Sequence, residues 1–99
     1  MALKKSAAKK SQKNHSMEIG KAYYIRTVTF HHIGRLIAVT DTDFLLDDAS
    51  WVADSGRFAQ ALKTGSLEDV EPFPGRAIVG RGGLIDAAEW VHPLPREVK

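Results

Sequence analysis

Short runs of apolar and β-branched residues, separated by residues that favour turns, occupy residues 22 to 46 and are typical of β-strands with both faces partly covered. Residues 22 to 30 are rich in β-branched and aromatic side chains, which predicts a first strand. Gly34 predicts a bend, and the alternation over residues 35 to 40 predicts a second strand. A tight turn at residues 41 to 43 would lead into a third strand at residues 44 to 46. The first half is therefore expected to form a β-meander.

The third strand is expected to resume after a bend, over residues 47 to 53, with Trp51 in the core. A helix of two to three turns is predicted next. Its apolar residues recur at positions i, i+3 and i+4, namely Phe58, Ala61 and Leu62. Asp54 or Ser55 is placed to cap the start of this helix, and Gly65 is placed to end it.

The remainder of the pattern returns to β structure. Two prolines make residues 71 to 75 a rigid loop, and residues 77 to 79 and 84 to 91 predict two closing strands. About five short strands and one helix indicate a mainly β (α+β) fold, with a small antiparallel SH3-like or Sm-like barrel as the first choice. A two-layer α+β sandwich is the alternative, because residues 84 to 90 also fit a helix.

Charge divides the chain into two parts. The basic arm, residues 1 to 16, contains no acidic residue and five lysines: Lys4, Lys5, Lys9, Lys10 and Lys13. Residues 17 to 99 hold the other nine basic residues and all twelve acidic ones, so their formal net charge is −3. The sequence therefore predicts a flexible arm on a single small globular domain, with the five lysines as the residues that bind a partner or a nucleic acid.

The composition limits the cellular compartment that we expect and the kinds of chemistry that the chain can carry out. Cysteine is absent, which excludes disulfides, thiol catalysis and cysteine-ligated metals and is consistent with a reducing compartment. The start of the chain lacks the apolar run of a secretory signal, and no stretch approaches the roughly 20 apolar residues of a membrane span. We expect an intracellular protein with no membrane contact and no cofactor.

The histidines give little support for a metal site. His31 and His32 are adjacent, so in a strand they point to opposite faces and cannot readily share one ion. His92 follows the last predicted strand, where a surface or capping position is expected.

Four aspartates invite comparison with a calcium loop: Asp41, Asp43, Asp47 and Asp48. Their spacing does not match an EF-hand, because apolar residues 44 to 46 occupy the middle. A turn with an acidic rim is the better interpretation, and such a rim could also dock a basic partner surface.

Residues 80 to 83 are rich in glycine but lack the lysine and hydroxyl residue of a phosphate-binding loop, so a strand connection is expected there. No serine has an identifiable base or a glycine-flanked elbow. The sequence therefore predicts a protein that is not an enzyme.

Aromatic and basic side chains are interleaved in the first strands, at Tyr23, Tyr24, Arg26, Phe30 and Arg35. Such an arrangement could stack nucleic-acid bases on an open sheet, but core packing explains the aromatic residues equally well. Because the domain is net negative, any nucleic-acid affinity would come mainly from the basic arm.

Five segments of the chain form a recognisable pattern: residues 24 to 29, 34 to 36, 48 to 58, 70 to 74 and 90 to 96. The most specific part is Ala49-Ser50-Trp51-Val52-Ala53-Asp54-Ser55-Gly56-Arg57-Phe58. Together these segments resemble a family of small proteins of tailed phages and prophages that has no assigned activity. The resemblance covers residues 18 to 99 and implies a phage setting, in the virion or in the host cytoplasm. It does not include the five lysines.

In that setting we expect a non-enzymatic structural or assembly subunit, associated with the virion, the capsid or the tail. Its basic arm would engage neighbouring copies or other virion proteins. The alternatives are a phage protein that binds nucleic acid non-specifically through the lysines, and an inhibitor of a host factor.

Overall fold

The computed structural model describes residues 16–99. Within this range the strands are β1 (Ala22–Thr27), β2 (His31–Val39), β3 (Asp43–Asp54), β4 (Asp69–Pro72), β5 (Ala77–Gly80) and β6 (Leu84–Glu89). One helix, α1 (Phe58–Thr64), connects β3 to β4, and a 3-10 turn (Arg81–Gly83) connects β5 to β6. The mainly β class with one short inserted helix is confirmed.

Strands β1, β2 and β3 pair with one another in chain order and antiparallel, which confirms the predicted meander. The first strand is shorter than predicted and ends at Thr27. Here the Thr27 backbone N–H donates to the Phe30 carbonyl over 2.9 Å and closes a turn. Strand β2 consequently begins at His31, earlier than predicted.

Gly34 does not bend the chain as predicted but lies inside β2. A Cβ atom at this position would be 3.0 Å from Leu46 Cβ and 3.1 Å from Ala49 Cβ. Glycine is therefore needed here because β2 and β3 approach each other closely. The register of the pairing between β2 and β3 also shifts at this position, between Ile33 and Arg35.

Strand β3 is long because it serves two partners on the side away from β2. Its first part, from Asp43 to Leu46, pairs with β5, and its last part, from Ser50 to Asp54, pairs with β4. Between them Asp48 has a positive φ of 49°, a conformation that aspartate tolerates better than most residues. This residue lies where the sequence predicts a bend, but the strand is continuous from Asp43 to Asp54 and is not interrupted there.

The alternation along the strands divides the buried residues between two faces. Tyr24 and the residues around it lie on the face covered by α1, which we call the helix face. Its buried core consists of Tyr24, Ile33, Val52, Ala61, Leu67, Val70 and Trp90. The other face, which we call the inner face, has a core of Met17, Tyr23, Ile25, Leu36, Phe44, Leu46, Ala49, Ala77 and Val79.

Helix α1 ends as predicted. Gly65 follows it with a φ of 81°, and its N–H donates to the Ala61 carbonyl over 2.7 Å. The predicted N-cap is wrong, because Arg57 occupies that position and makes no side-chain cap. Asp54 instead accepts a hydrogen bond from the Gly56 N–H over 2.8 Å, which stabilises the turn that leaves β3.

The sheet is strongly curled. Strands β5 and β6 lie at opposite ends of the path β5-β3-β2-β1-β6, so in a flat sheet they would be about 19 Å apart. The connection from Gly80 to Leu84 reaches at most about 14 Å. The sheet must therefore curl around the inner face to bring the two strands together. No pairing joins β5 to β6 in the described part of the chain, so the barrel is not closed.

The last strands also correct two predictions. Residues 84–89 pair with β1 as β6, so the helical alternative for this segment is wrong. The predicted rigid loop starts later than expected, because Glu71 and Pro72 still belong to β4. This strand lies at one end of the sheet, where proline is tolerated, and its Val70 exchanges two backbone hydrogen bonds with Lys99.

Candidate functional site

Three neighbouring strands bring one histidine, one tryptophan and one glutamate into a single row. His32 of β2 lies directly opposite Trp51 of β3, and Trp51 lies directly opposite Glu71 of β4. Directly opposed residues of antiparallel strands present their side chains on the same face of the sheet. This row continues through Ile25 of β1, which belongs to the inner-face core. The three residues therefore lie on the inner face, at its β4 end.

Two phenylalanines complete an open pocket around this row. The Phe30 ring lies 5.7 Å from the Trp51 ring at an angle of 69°, and the Phe73 ring lies 6.1 Å from the His32 ring. We call this pocket, of about 420 Å³, the aromatic groove. Its lining residues are Phe30, His32, Trp51, Glu71, Pro72, Phe73 and Pro74.

Local structure holds the walls of the groove in place. Phe30 lies at the end of the turn after β1, where its N–H donates to the Thr27 hydroxyl oxygen over 3.0 Å. On the other wall the Phe73 N–H donates to the Ala49 carbonyl over 2.8 Å. The prolines on either side of Phe73 have fixed φ angles. The backbone that carries the Phe30 and Phe73 rings is therefore held in place by hydrogen bonds and by proline.

The aromatic side chains of the groove are more exposed to solvent than those of the core. Phe30 is 50% exposed, whereas Tyr24 on the helix face is fully buried. Trp51 is only partly buried, so the prediction that it anchors the core is wrong. It forms a wall of the groove instead.

The charge of the groove comes from Glu71. Burial lowers the pKa of His32, and the nearby His31 lowers it further, so the His32 imidazole is neutral at pH 7. Its Nδ1 atom is buried and has no hydrogen-bond partner among residues 16–99. One carboxylate and several aromatic ring faces, which carry negative potential, form surroundings that suit a cation with an apolar stem.

A second group of polar residues lies on the helix face, and its members are bound to one another. The Tyr24 hydroxyl and His31 Nδ1 are 2.7 Å apart, and burial lowers the pKa of His31. The Arg26 guanidinium forms a bidentate ion pair with Asp86, and this hydrogen bonding lowers the pKa of Asp86. Arg26 also stacks over the Phe58 ring at 4.5 Å. These contacts join β1, β2, β6 and α1, which indicates a structural role.

His31 and His32 point to opposite faces, as predicted, because they oppose consecutive residues of β3. His92 has the predicted capping role: its Nε2 lies 2.7 Å from the Leu62 carbonyl near the end of α1. Tyr23 and Tyr24 are buried, so core packing rather than base stacking explains them.

The predicted acidic rim is partly neutralised. Arg35 contacts the carboxylates of Asp47 and Asp48 at 3.3 and 2.9 Å. Asp43 stands in the predicted turn, where its carbonyl accepts the Thr40 N–H over 2.9 Å. No group of three or more potential metal-ligating side chains is present in the described part of the chain.

The glycine-rich segment between β5 and β6 is the strand connection that the sequence predicts. Its Arg81 donates from Nη1 to the Thr40 carbonyl and lies over the Phe44 ring at 5.5 Å. The guanidinium therefore packs against residues of the same domain.

The lysines predicted to bind a partner, Lys4, Lys5, Lys9, Lys10 and Lys13, lie outside the described residues. The sequence pattern does not predict the groove. The only signal was the density of aromatic and proline residues at Phe30, Trp51 and the segment 71 to 75.

Comparisons with protein-family models, with curated proteins and with solved structures found no match. The resemblance to small phage proteins therefore stays a prediction. In residues 16–99 there is no helix of the length and hydropathy that a membrane span requires.

Proposed function

We propose that this protein is a non-enzymatic assembly subunit that binds neighbouring copies of itself, with its basic arm as the connecting element. The observation that carries the proposal is the aromatic groove, which is open and holds one carboxylate. The division of charge supports it as well, since a +5 arm complements a domain of net charge −3.

Exposed aromatic surface favours a binding role. Contiguous apolar patches on small proteins commonly mark interaction sites, and tryptophan and phenylalanine are enriched where partners dock. Five of the seven residues that line the groove have no ionisable group, namely Phe30, Trp51, Pro72, Phe73 and Pro74. Such a lining provides contact area but few groups for acid–base or nucleophilic chemistry.

The architecture suits such a subunit. The curled sheet, in which a 3-10 turn (Arg81–Gly83) links β5 to β6, is similar in plan to a small SH3-like barrel. A small barrel with a basic arm fits a symmetric assembly, in which the arm is ordered once neighbouring copies enclose it. The phage setting is part of the same proposal, with the protein in the virion or in the host cytoplasm.

Light scattering coupled to size-exclusion chromatography tests this function. The full-length protein should form a defined oligomer that dissociates when the five arm lysines are changed to glutamine. A full-length variant in which Lys63, on the exposed side of α1, is changed to glutamine is the control and should keep the oligomer.

Two results would contradict the proposal. A protein that stays monomeric at all concentrations would exclude self-assembly. A protein that elutes with nucleic acid, and loses it on adding salt or on changing the five lysines, would instead support non-specific nucleic-acid binding.

A further inference from the structure

The aromatic groove combines a glutamate and a tryptophan in its lining, Glu71 and Trp51. Glu71 directly opposes Trp51 on the neighbouring strand, and both side chains lie on the inner face. Attraction of a cation to an aromatic face is strongest for tryptophan, and a nearby carboxylate adds a separate Coulomb attraction. The pairing of Glu71 with Trp51 therefore selects for positively charged groups.

The rings are arranged to receive a long side chain. The planes of Phe30 and Trp51 meet at 69°, so they form two walls of a corner instead of a flat stack. The volume of about 420 Å³ is within the range of roughly 300–1,000 Å³ that is typical of ligand pockets. A lysine suits such a corner, because its methylene stem can pack on the rings while its ammonium group meets the carboxylate.

The remaining polar group in the groove is compatible with a cation. His32 is neutral at pH 7, because burial lowers its pKa. Arg96 is the nearby basic residue that contacts the groove wall, and it donates to the Phe73 carbonyl over 3.3 Å. Its guanidinium is thus held by the backbone of Phe73.

We propose that the aromatic groove binds a lysine side chain from the basic arm of a neighbouring copy, with the stem packed in the corner formed by Phe30 and Trp51 and the ammonium group at Glu71. This inference rests on the proposed function and names the receptor for the arm. The arm is the occupant that charge complementarity favours, because it holds five of the fourteen basic residues and no acid.

The test uses Trp51 fluorescence. A synthetic peptide of residues 1 to 16 is titrated into the full-length variant whose five arm lysines are glutamine, so that its own arm does not compete. We expect a saturable change in emission, which is lost in Trp51→Phe because the other tryptophan, Trp90, is buried in the helix-face core. Tetramethylammonium chloride should displace the peptide more effectively than sodium chloride at equal ionic strength.

Charge variants locate the site. Glu71→Gln should weaken peptide binding by about 2-fold to 5-fold, the size expected for loss of an ion pair whose carboxylate is exposed to solvent. Glu68→Gln is the matched control, since it removes the same charge three residues away but outside the groove, and it should leave binding unchanged. Equal effects of the two variants would overturn the inference, as would equal binding of a peptide whose lysines are all glutamine.

Failure of this inference can be separated from failure of the proposed function. If the oligomer depends on the arm lysines but Glu71→Gln and Trp51→Phe leave it intact, the subunit assembles and the groove is not the receptor. If the peptide binds at Trp51 while the full-length protein remains monomeric at every concentration, the groove accepts lysine but the neighbouring copy is not its source. That result would overturn both the assembly function and the intermolecular contact.

Discussion

Where β2, β3 and β4 run side by side, the helix face of the sheet is covered by other parts of the chain and the inner face is not. On the helix face, α1 and the C-terminal residues cover the strands, and Ile33 and Ser50 are fully buried. The Ser50 hydroxyl donates to the Pro95 carbonyl over 3.1 Å, so even this buried polar group has a partner. On the inner face of the same strands, the aromatic groove is left open.

The difference shows how one strand can contribute to a packed core on one face and to the proposed binding groove on the other. Consecutive residues of β3, such as Trp51 and Val52, face opposite sides of the sheet. Val52 contributes to the helix-face core, whereas Trp51 forms a wall of the groove. A binding surface can therefore be built on the back of a packed core, which keeps its side chains in fixed positions.

The largest effect should come from opening the helix face. Ile33→Ala removes a fully buried side chain and should lower the free energy of unfolding by about 2–5 kcal/mol. Phe30→Ala, on the groove side, should change it by no more than about 1 kcal/mol, because Phe30 is half exposed. Urea denaturation of both variants measures the contrast. A loss of similar size in the two would show that the groove is part of the core.

A smaller effect should follow from crowding the inner face near Gly34. Gly34→Ala places a Cβ about 3 Å from Leu46 and Ala49 and should cost about 1–3 kcal/mol. Gly75→Ala is the control and should stay within about 0.5 kcal/mol, because no atom lies within 4 Å of the added Cβ. Thermal unfolding followed by circular dichroism can compare them. If Gly34→Ala is as stable as Gly75→Ala, the close approach of β2 and β3 is not required.

The smallest effect concerns pH. Burial lowers the pKa of His32 in the folded state, so the unfolded chain binds a proton more readily. Stability should therefore fall as the pH drops below the unfolded value of about 6.5, by less than about 1.4 kcal/mol per pH unit. His32→Gln should reduce this fall between pH 7 and pH 5. Chemical denaturation at several pH values is the measurement, and an unchanged pH profile in His32→Gln would count against a buried neutral imidazole.

Much of the fold follows from local patterns in the sequence. Adjacent residues of a strand face opposite sides, so a strand over residues 22 to 30 separates Tyr23 from Tyr24, and Gly65 indicates the end of α1; both signals depend on residues close together in the chain. The groove could not be predicted in this way. It depends on Trp51 lying opposite both His32 and Glu71, and that register is set by pairings across three strands with shifts in between.

Gly34 and Trp51 are two residues whose environment cannot be predicted from nearby sequence. The sequence alone suggested a bend at Gly34, but contact with a neighbouring strand is the reason for the glycine. A tryptophan in a strand is normally assigned to the core, yet the sheet ends at β4 and leaves Trp51 beside open space. In both cases the deciding neighbour is distant in the chain.

The dual pairing of β3 has a consequence for how the domain opens. Because β3 is bonded to β2 on one side and to β5 and then β4 on the other, its amides are enclosed along most of the strand. Neither core can come apart completely without breaking bonds to this strand. Amide hydrogen exchange in β3 should then require global unfolding, whereas the exposed edge strand β6 should exchange through local fraying.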